Sequence, residues 1–267
     1  MNGPKDTPGH PLSVAVERVL AEQRSFEQQR ATRMGRGVEA ATAPIGEVAR
    51  RLIPASVVRT ALDGADRAAG YTVPEDISGH DVNDIAACDA AALRAQGWAM
   101  GMNAATGAGA GLFGVVGLSV DIPGSIAIAA RNVRATGLAY GFTGQSEEER
   151  IFRLAILELA ATGGMEERAA SVARVNRLAQ ALGQAGGEAT LEGIDWALDK
   201  VVERATRALG MNLAQRKAAQ VVPILSAALG AAVNASFQTD VARAARYAYR
   251  QRWLATRQML PAPETAA

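Results

Sequence analysis

The chain of 267 residues has one cysteine, two histidines and only 4% aromatic residues. With Cys88 alone, no disulfide can form within the chain, which favours a reducing compartment. A serine hydrolase needs a base beside its nucleophile, but His10 lies in a polar N-terminal stretch and only His80 remains. Motifs typical of zinc peptidases, P-loop proteins, dinucleotide-binding proteins and α/β-hydrolases are also absent. The sequence therefore predicts no cofactor and no metal site, and it favours a protein without catalytic activity.

An excess of charge of either sign is also lacking. The formal net charge is +1, so no overall field attracts nucleic acid. The N-terminal stretch lacks the basic and apolar regions of a secretory signal. We expect a cytoplasmic protein, either free or peripheral on the inner face of the cell membrane.

Helix-forming residues dominate what is present. Hydrophobic residues make up 49% of the chain, and alanine, the strongest helix former, is unusually common. No stretch shows a convincing strand alternation. The sequence predicts an all-α fold: a single multi-helix bundle over residues 12–260, with disordered tails at 1–11 and 261–267. A Gly/Ala-rich helical hairpin is expected at its centre.

The predicted hairpin is built on an uncharged run from Ala95 to Val120. A glycine in a water-exposed helix costs about 1 kcal/mol relative to alanine. We therefore expect close helix contact, or a bend, to recover that cost. Asp121 is predicted to cap a second helix that has Pro123 in its first turn. The glycines of the run are Gly97, Gly101, Gly107, Gly109, Gly111, Gly114 and Gly117.

A second uncharged run extends from Ala218 to Thr239. Each run exceeds the roughly 20 residues that a membrane-spanning helix needs. Both are rich in small and polar residues and poor in the Leu, Ile and Phe that favour insertion. We interpret both as buried helices of a soluble bundle, and a membrane-inserted hairpin remains the alternative.

Local signals predict the limits of several flanking helices. Ser146 with Glu149 forms a capping box at a helix start. Two glycines are expected to end helices, because glycine is common just past a helix C-terminus. The predicted helices are Glu147–Ala161 after Ser146, Ala55–Ala69 before Gly70, and Thr190–Leu209 before Gly210.

Three blocks of sequence carry a family resemblance. The first combines an Asp-rich helix start with the Gly-rich run and Asp121-Ile122-Pro123. The others are Arg131 to Phe142 followed by 147–159, and Gln220 to Asn234 followed by Phe237 and 244–253. In these blocks the chain resembles the EcsC protein family of bacteria over about residues 12–260. The resemblance implies a helical protein in the cytoplasm or at a membrane. The family's name comes from a gene beside those of an ABC transporter that affects protein secretion, and it implies no activity and no catalytic residues.

Two groups of residues could take part in catalysis or metal binding. Asp121 between apolar helices is expected to be partly buried near Arg131 or Arg134, as a structural ion pair or as the acid of an enzyme pocket. His80, Asp84 and Cys88 share a spacing of four, which suits one helix face. We favour a helix cap and a buried thiol for this group rather than a metal or nucleophile site.

The C-terminal helix offers a basic face. Arg243, Arg246, Arg250 and Arg257 share helical spacing, and Tyr247, Tyr249 and Trp253 are interleaved with them. Such a face suits anionic lipid headgroups or a membrane protein partner, although a solvated helix face is the simpler interpretation.

Two functional hypotheses follow. The first is a non-catalytic binding or scaffolding protein at the cytoplasmic membrane face, associated with ABC-transporter or secretion processes. The second is an enzyme of unknown reaction that uses Asp121 and nearby arginines in a helical pocket.

Overall fold

The computed structural model describes residues 11–28, 54–73, 75–111, 114–184, 198–218 and 226–260. Side chains are described in these ranges except at 11–13, 75–76, 103–120, 217–218 and 226–234. The predicted C-terminal tail at 261–267 lies outside the described residues. The predicted N-terminal tail at 1–11 also lies outside them, except for Pro11, which begins the first helix.

The described chain is all-helical, as the sequence predicted, and contains no strand. The fold is a bundle around the longest helix, α8, which packs against α3, α4, α5 and α6. A Gly/Ala-rich hairpin of α3 and α4 stands beside it, which confirms the central hairpin. The helices are α1 (Pro11–Gln28), α2 (Ala55–Thr72), α3 (Ile85–Gly111), α4 (Gly114–Ala139), α5 (Glu147–Ala161), α6 (Met165–Gln184), α7 (Leu198–Ala218) and α8 (Ser226–Thr256), with a 3-10 turn at Glu75–Ser78.

The core combines alanine-rich helix contacts with a few large rings. Tyr249 of α8 lies at its centre and is 2% exposed. The Phe152 ring of α5 meets Tyr249 edge-on at 5.3 Å between centroids, and the Phe142 ring stacks on it at 5.9 Å. Rings bury large apolar areas, so a chain with few aromatics concentrates them where several helices meet.

The predicted break at Asp121 is wrong. Helix α4 begins at Gly114 and continues through Asp121 and Pro123, so Asp121 is no N-cap. Proline removes one backbone hydrogen bond inside a helix. Ile122 and Ile126, which lie near Pro123 on the helix, are nevertheless buried, at 3% and 0% exposure. The stabilisation from this packing outweighs the missing backbone hydrogen bond.

Two glycines predicted to end helices do not end them. Helix α2 runs past Gly70 to Thr72, and α7 runs through Gly210 to Ala218. In α7, Leu209 and Leu213 are both buried, so continuing the helix through Gly210 buries a second apolar turn. By contrast, the helix Glu147–Ala161 is confirmed, with the Ser146 hydroxyl accepting a hydrogen bond from the Glu149 amide.

Close helix contact at glycine occurs outside the predicted run. A Cβ on Gly183 of α6 would lie 2.7 Å from Ala255 Cβ of α8, and one on Gly137 would lie 2.7 Å from the Tyr249 ring. The exposed glycines Gly97 and Gly101 have no atom within 4 Å of such a Cβ. For these two residues the prediction of close packing is wrong. No contact in the described chain offsets the loss of helix stability that each glycine causes.

Candidate functional site

The uncharged runs of three helices point to one end of the bundle. Helices α3 and α8 are antiparallel, because Asp89 pairs with Arg250 while Thr239 Oγ1 approaches Met100 Sδ at 3.6 Å. Helices α4 and α8 are parallel, because Gln238 donates to the Ser125 carbonyl at 3.1 Å while residue 137 approaches residue 249. We call the end formed by residues 101–111, 114–120 and 226–239 the uncharged end, since its sequence contains no charged residue.

Apolar side chains are exposed where α3 enters this end. Trp98 is 42% exposed and Met102 is 44% exposed, and Gly97 and Gly101 share the same solvent-facing side of the helix. The Arg131 guanidinium lies 3.5 Å above the Trp98 ring, and its Nε donates to the Thr72 carbonyl at 3.1 Å. Burial lowers the pKa of Arg131 from its ordinary value. The pair forms a cation–π contact at the boundary between the uncharged end and the rest of the bundle.

Asp121, Arg131 and Arg134 do not converge, although the sequence suggested it. All three lie on α4, ten and thirteen positions apart, which separates their backbones by about 15 and 20 Å. Asp121 is buried at 3% exposure. Arg134 instead packs on Gly70 of α2, where a Cβ would lie 3.6 Å from its guanidinium carbon. It lines a cleft of 450 Å³ with Arg67, Arg150 and Arg153.

Arg250 of the predicted basic face is an internal ion-pair partner. Its guanidinium donates two hydrogen bonds to Asp89, at 2.8 and 2.7 Å, and contacts Glu22 at 2.6 Å. The Tyr140 hydroxyl donates to the same Asp89 carboxylate. Burial alone would lower the pKa of Arg250, but the Asp89 hydrogen bonds and the surrounding negative charge raise it. Burial, followed by the Asp89 charge, raises the pKa of Tyr140 well above its ordinary value.

The aromatic side chains of the same helix are buried. Trp253 is 1% exposed and donates from its indole nitrogen to the Val82 carbonyl at 2.8 Å. Tyr247 is 1% exposed, and its hydroxyl donates to Glu27 at 2.5 Å. The expectation that these rings lie at the surface as interfacial anchors is therefore wrong. Helical spacing identifies which residues share a side, but it does not show whether that side faces solvent or core.

Arg243 and Arg246 line a small cleft between α1 and α8. The cleft has a volume of 200 Å³, and Glu22, Phe26 and Tyr247 also line it. Burial, and then the charge of Arg250, lower the pKa of Arg246. Arg257 lies apart from this cleft, with its guanidinium 3.9 Å above the Trp253 ring and donating to Asn83 at 2.8 Å. The four predicted arginines thus do not form one open face.

The group at residues 80–88 is structural. The Asp84 carboxylate accepts a hydrogen bond from the Ala86 amide at 2.8 Å, which caps α3. His80 lies before the helix, with Nε2 2.8 Å from the Ala139 carbonyl oxygen. Cys88 is fully buried, and burial raises the pKa of its thiol to about 12. Among the described residues, no group of three or more His, Cys, Asp or Glu side chains is placed to hold a metal ion.

A larger cleft between α5, α6 and α7 is built around Glu158. This cleft, which we call the Glu158 cleft, has a volume of 480 Å³. The Glu158 carboxylate is 4% exposed and contacts both Arg174 of α6 and Arg204 of α7. The Ser171 hydroxyl donates to the same carboxylate at 3.3 Å. A buried charge shared among three helices in this way requires compensation from its partners, and here the two arginines provide it.

Comparison with models of protein families identifies the family of the chain. The model of the EcsC protein family matches residues 16–254, which is most of the chain. The chain belongs to the EcsC protein family. No curated protein and no solved structure matches this EcsC chain. In the described parts of this EcsC protein, no helix is long and apolar enough to cross a membrane.

Sequence reasoning missed the Glu158 cleft of this EcsC chain. Its charged residues come from three helices, so no local motif joins them. One signal was present: Glu158 stands between Leu157 and Leu159 in an otherwise apolar part of α5. A charged residue within such a run is buried only when partners compensate it, and the sequence does not show which residues those are.

Proposed function

We propose that this EcsC protein is a non-catalytic binding protein at the cytoplasmic face of a membrane, and that its uncharged end dips into the bilayer. The observation that carries the proposal is the common direction of the uncharged parts of α3, α4 and α8. In α4 the uncharged part spans only residues 114–120, because the buried Asp121 follows it. From the level of Met100 and Gln238, α3 and α8 extend eleven or twelve residues without a charge to Gly111 and Ser226. At 1.5 Å per residue this is about 16–18 Å.

That length suits one leaflet of a membrane. The hydrocarbon core of a bilayer is about 30 Å thick, so the uncharged end would reach about its middle. Helices tolerate this environment because their backbone polar groups are bonded within the helix. The charged Arg216–Asp240 pair, joined at 2.6 Å and buried, comes directly after the uncharged part of α8 and would stay near the membrane surface.

The exposed side chains at the boundary support the same orientation. Tryptophan and arginine are both favoured at the headgroup level, where a ring can be buried while a charge remains hydrated. Trp98 and Arg131 supply this combination next to the uncharged end. Exposed Gly97 and Gly101 are unfavourable in a water-exposed helix, whereas glycine is common in membrane helices.

Binding of this kind differs from the attraction to anionic lipid expected of the α8 arginines. Arg250 is held by Asp89 and Glu22, and Trp253 is buried, so neither is free to anchor the protein. Apolar insertion is not screened by salt, whereas attraction between surface charges decays over about 10 Å at 0.1 M salt. We therefore expect binding to neutral vesicles that persists in high salt.

Vesicle flotation with a matched pair of variants tests the proposal. Met102→Asp places a charge on the exposed side of the uncharged end, one turn deeper than Trp98, where insertion of an aspartate costs part of the about 2.5–3.5 kcal/mol that it costs at the bilayer centre. Met259→Asp is the control, since Met259 has the same exposed fraction, 44%, and follows the opposite end of α8. We expect wild-type protein and Met259→Asp to float with neutral vesicles in 0.5 M salt, and Met102→Asp to remain unbound. Failure of the wild-type protein to float, or equal behaviour of the two variants, would refute the proposal.

A link to an ABC transporter or to secretion rests only on the EcsC resemblance, and we include it as the proposed context of a membrane partner. The alternative of an enzyme using Asp121 draws less support. Asp121 lines none of the three clefts described above, and Arg131 and Arg134 lie too far along the same helix to pair with it.

A further inference from the structure

The Glu158 cleft carries an unequal balance of charge at its base. One carboxylate, Glu158, is shared by the guanidinium groups of Arg174 and Arg204. Their side chains are 20% and 30% exposed, so solvent screens them less than it screens surface arginines. Two positive charges therefore converge on one carboxylate. Glu167 also lines the cleft, so the lining holds three arginines and two carboxylates, and the excess of one positive charge would attract a further anion. The planar guanidinium group of arginine binds two oxygens of a carboxylate or a phosphate at once, so arginines bind such oxyanions especially well.

A third arginine, Arg207, lines the cleft, and the ion pair that it forms with Glu203 is weak. Arg207 lines the cleft and contacts Glu203 at 2.6 Å, with side chains 68% and 65% exposed. Exposed pairs of this kind contribute little stability, so Arg207 can turn to a ligand at small cost. Asn212 of the same helix also lines the cleft, and its amide nitrogen donates to the Ala161 carbonyl at 3.2 Å. The buried Asn212 Oδ1 accepts no hydrogen bond from the described residues.

Part of the remaining lining is apolar, beside the polar Thr162 and Gln215, and the space is large. Ala161, Ala170, Ala208 and the 39% exposed Met211 line the cleft together with the charged groups. Its 480 Å³ lies within the range of about 300–1,000 Å³ typical of small-molecule sites, which combine an apolar lining with a few polar groups. A bare inorganic anion would leave most of this space and all of the apolar wall unused.

We propose that the Glu158 cleft binds an amphiphilic organic anion, whose oxyanion contacts Arg174, Arg204 and Arg207 while its apolar part lies against Met211 and the alanines. Glu158 is a positioning residue that holds the two half-buried arginines, Arg174 and Arg204, together. The site stands on its own geometry and does not depend on the membrane contact.

The cleft nevertheless lies near the level where the uncharged end begins. Asn212 and Arg216 are one turn apart on α7, and Arg216 bonds Ser236 and Asp240 of α8 at 2.5 and 2.6 Å. A lipid with an anionic headgroup and a soluble amphiphilic metabolite are thus both sources of the same chemistry. The two are distinguished by whether the anion reaches the cleft from solution or only from a vesicle.

Isothermal titration with octyl phosphate below its micelle concentration tests the site. We expect saturable one-to-one binding, with neutral octyl glucoside giving no heat of binding. Glycerol phosphate, which has the anion without the chain, is expected to bind at least tenfold more weakly. Equal affinity for glycerol phosphate would overturn the amphiphile assignment, and absence of saturable octyl phosphate binding by the wild-type protein would overturn the site.

Exposed residues provide variants that leave the cluster of Glu158, Arg174 and Arg204 intact. Arg207→Gln should weaken octyl phosphate binding about five- to twentyfold, and Met211→Asp should abolish it. Arg59→Gln is the matched control, because Arg59 is 56% exposed, pairs with Asp199 at 3.2 Å and lies outside the cleft. Binding that is unchanged in Arg207→Gln and Met211→Asp would place the ligand elsewhere and refute the proposal.

Vesicle experiments distinguish a lipid headgroup from a soluble ligand. They also distinguish the proposed anion site in the cleft from the proposed insertion of the uncharged end. If the ligand is a lipid headgroup, Arg207→Gln should lose the preference for phosphatidylglycerol vesicles over neutral vesicles and still float with both. If the ligand is soluble, octyl phosphate should bind Met102→Asp as tightly as the wild-type protein, while no vesicle preference depends on Arg207. Loss of flotation in Met102→Asp alone concerns the uncharged end, whereas loss of octyl phosphate binding in Arg207→Gln alone concerns the cleft.

Discussion

Glu149 and Arg252 form a buried ion pair at the start of α5, and replacing Glu149 by glutamine removes the negative charge of this pair. The Glu149 carboxylate accepts two hydrogen bonds from Arg252, at 2.8 and 2.6 Å, and the two side chains are 8% and 4% exposed. The Arg252 guanidinium also lies 4.2 Å from the Phe142 ring. Glutamine keeps the third position of the capping box that Ser146 begins, so the substitution tests the charge rather than the helix start.

The expected cost follows from the fate of Arg252. An arginine does not lose its proton in a protein, so it would stay charged in the core facing a neutral amide. Breaking a buried pair by removing one partner costs about 3–5 kcal/mol. For a domain with a total stability of about 5–15 kcal/mol this is a large fraction. The exposed pair Glu203–Arg207 supplies the control, and Glu203→Gln should cost less than about 1 kcal/mol.

Urea unfolding followed by far-ultraviolet circular dichroism measures both variants. We expect Glu149→Gln to lower the midpoint without changing the m-value, since the burial of surface is the same. The double variant Glu149→Leu with Arg252→Met should recover most of the loss, because it leaves no buried charge and methionine fits between the phenylalanine rings. A loss below about 1 kcal/mol for Glu149→Gln would show that water or another anion reaches Arg252, contrary to the burial described here.

Four further predictions concern packing, a thiol and pH. Gly183→Ala should destabilise the fold by about 1–3 kcal/mol in thermal or urea unfolding, because its Cβ would also lie 3.0 Å from the Thr256 backbone nitrogen. Gly101→Ala faces open space and should raise stability by up to about 1 kcal/mol, and a loss there would contradict the exposed position. Cys88 should react with a thiol reagent only on unfolding, since it is fully buried with a raised pKa, and rapid native labelling at pH 8 would contradict this. The pKa of Cys88 rises from 9.0 to about 12 on folding. The contribution of the neutral thiol to the free energy of unfolding is therefore complete below pH 9 and is lost between pH 9 and 12. In that range the stability of the wild-type protein should fall more steeply than that of Cys88→Ala.

Helix type and several helix limits were predictable because they depend on local chemistry. The capping box at Ser146 works within four residues, and the acidic start before α3 likewise satisfies backbone groups close in sequence. Gly70 and Gly210 show the limit of such reasoning. A glycine permits a helix to end, but the burial of neighbouring leucines decided that α7 continues.

The candidate site was predictable only in part. Arg250 was recognised as one of a set with helical spacing, but its partner Asp89 lies 161 residues away. Asp84 and Cys88 were correctly interpreted as a helix cap and a buried thiol. The prediction for Asp121 placed a helix start where α4 simply continues, since local proline and aspartate signals cannot register the packing of Ile122 and Ile126.

The sequence by itself determined that this chain is helical, that it belongs to its family, and that two long runs lack charge, because composition and periodicity act over neighbouring residues. Only the tertiary structure decided that those runs share one end of the bundle, that Trp253 and Arg250 face inward, and that Glu158 gathers arginines from two other helices. These features depend on the register between helices far apart in the chain. That register is set by the sum of many packing contacts, and no short stretch of sequence contains it.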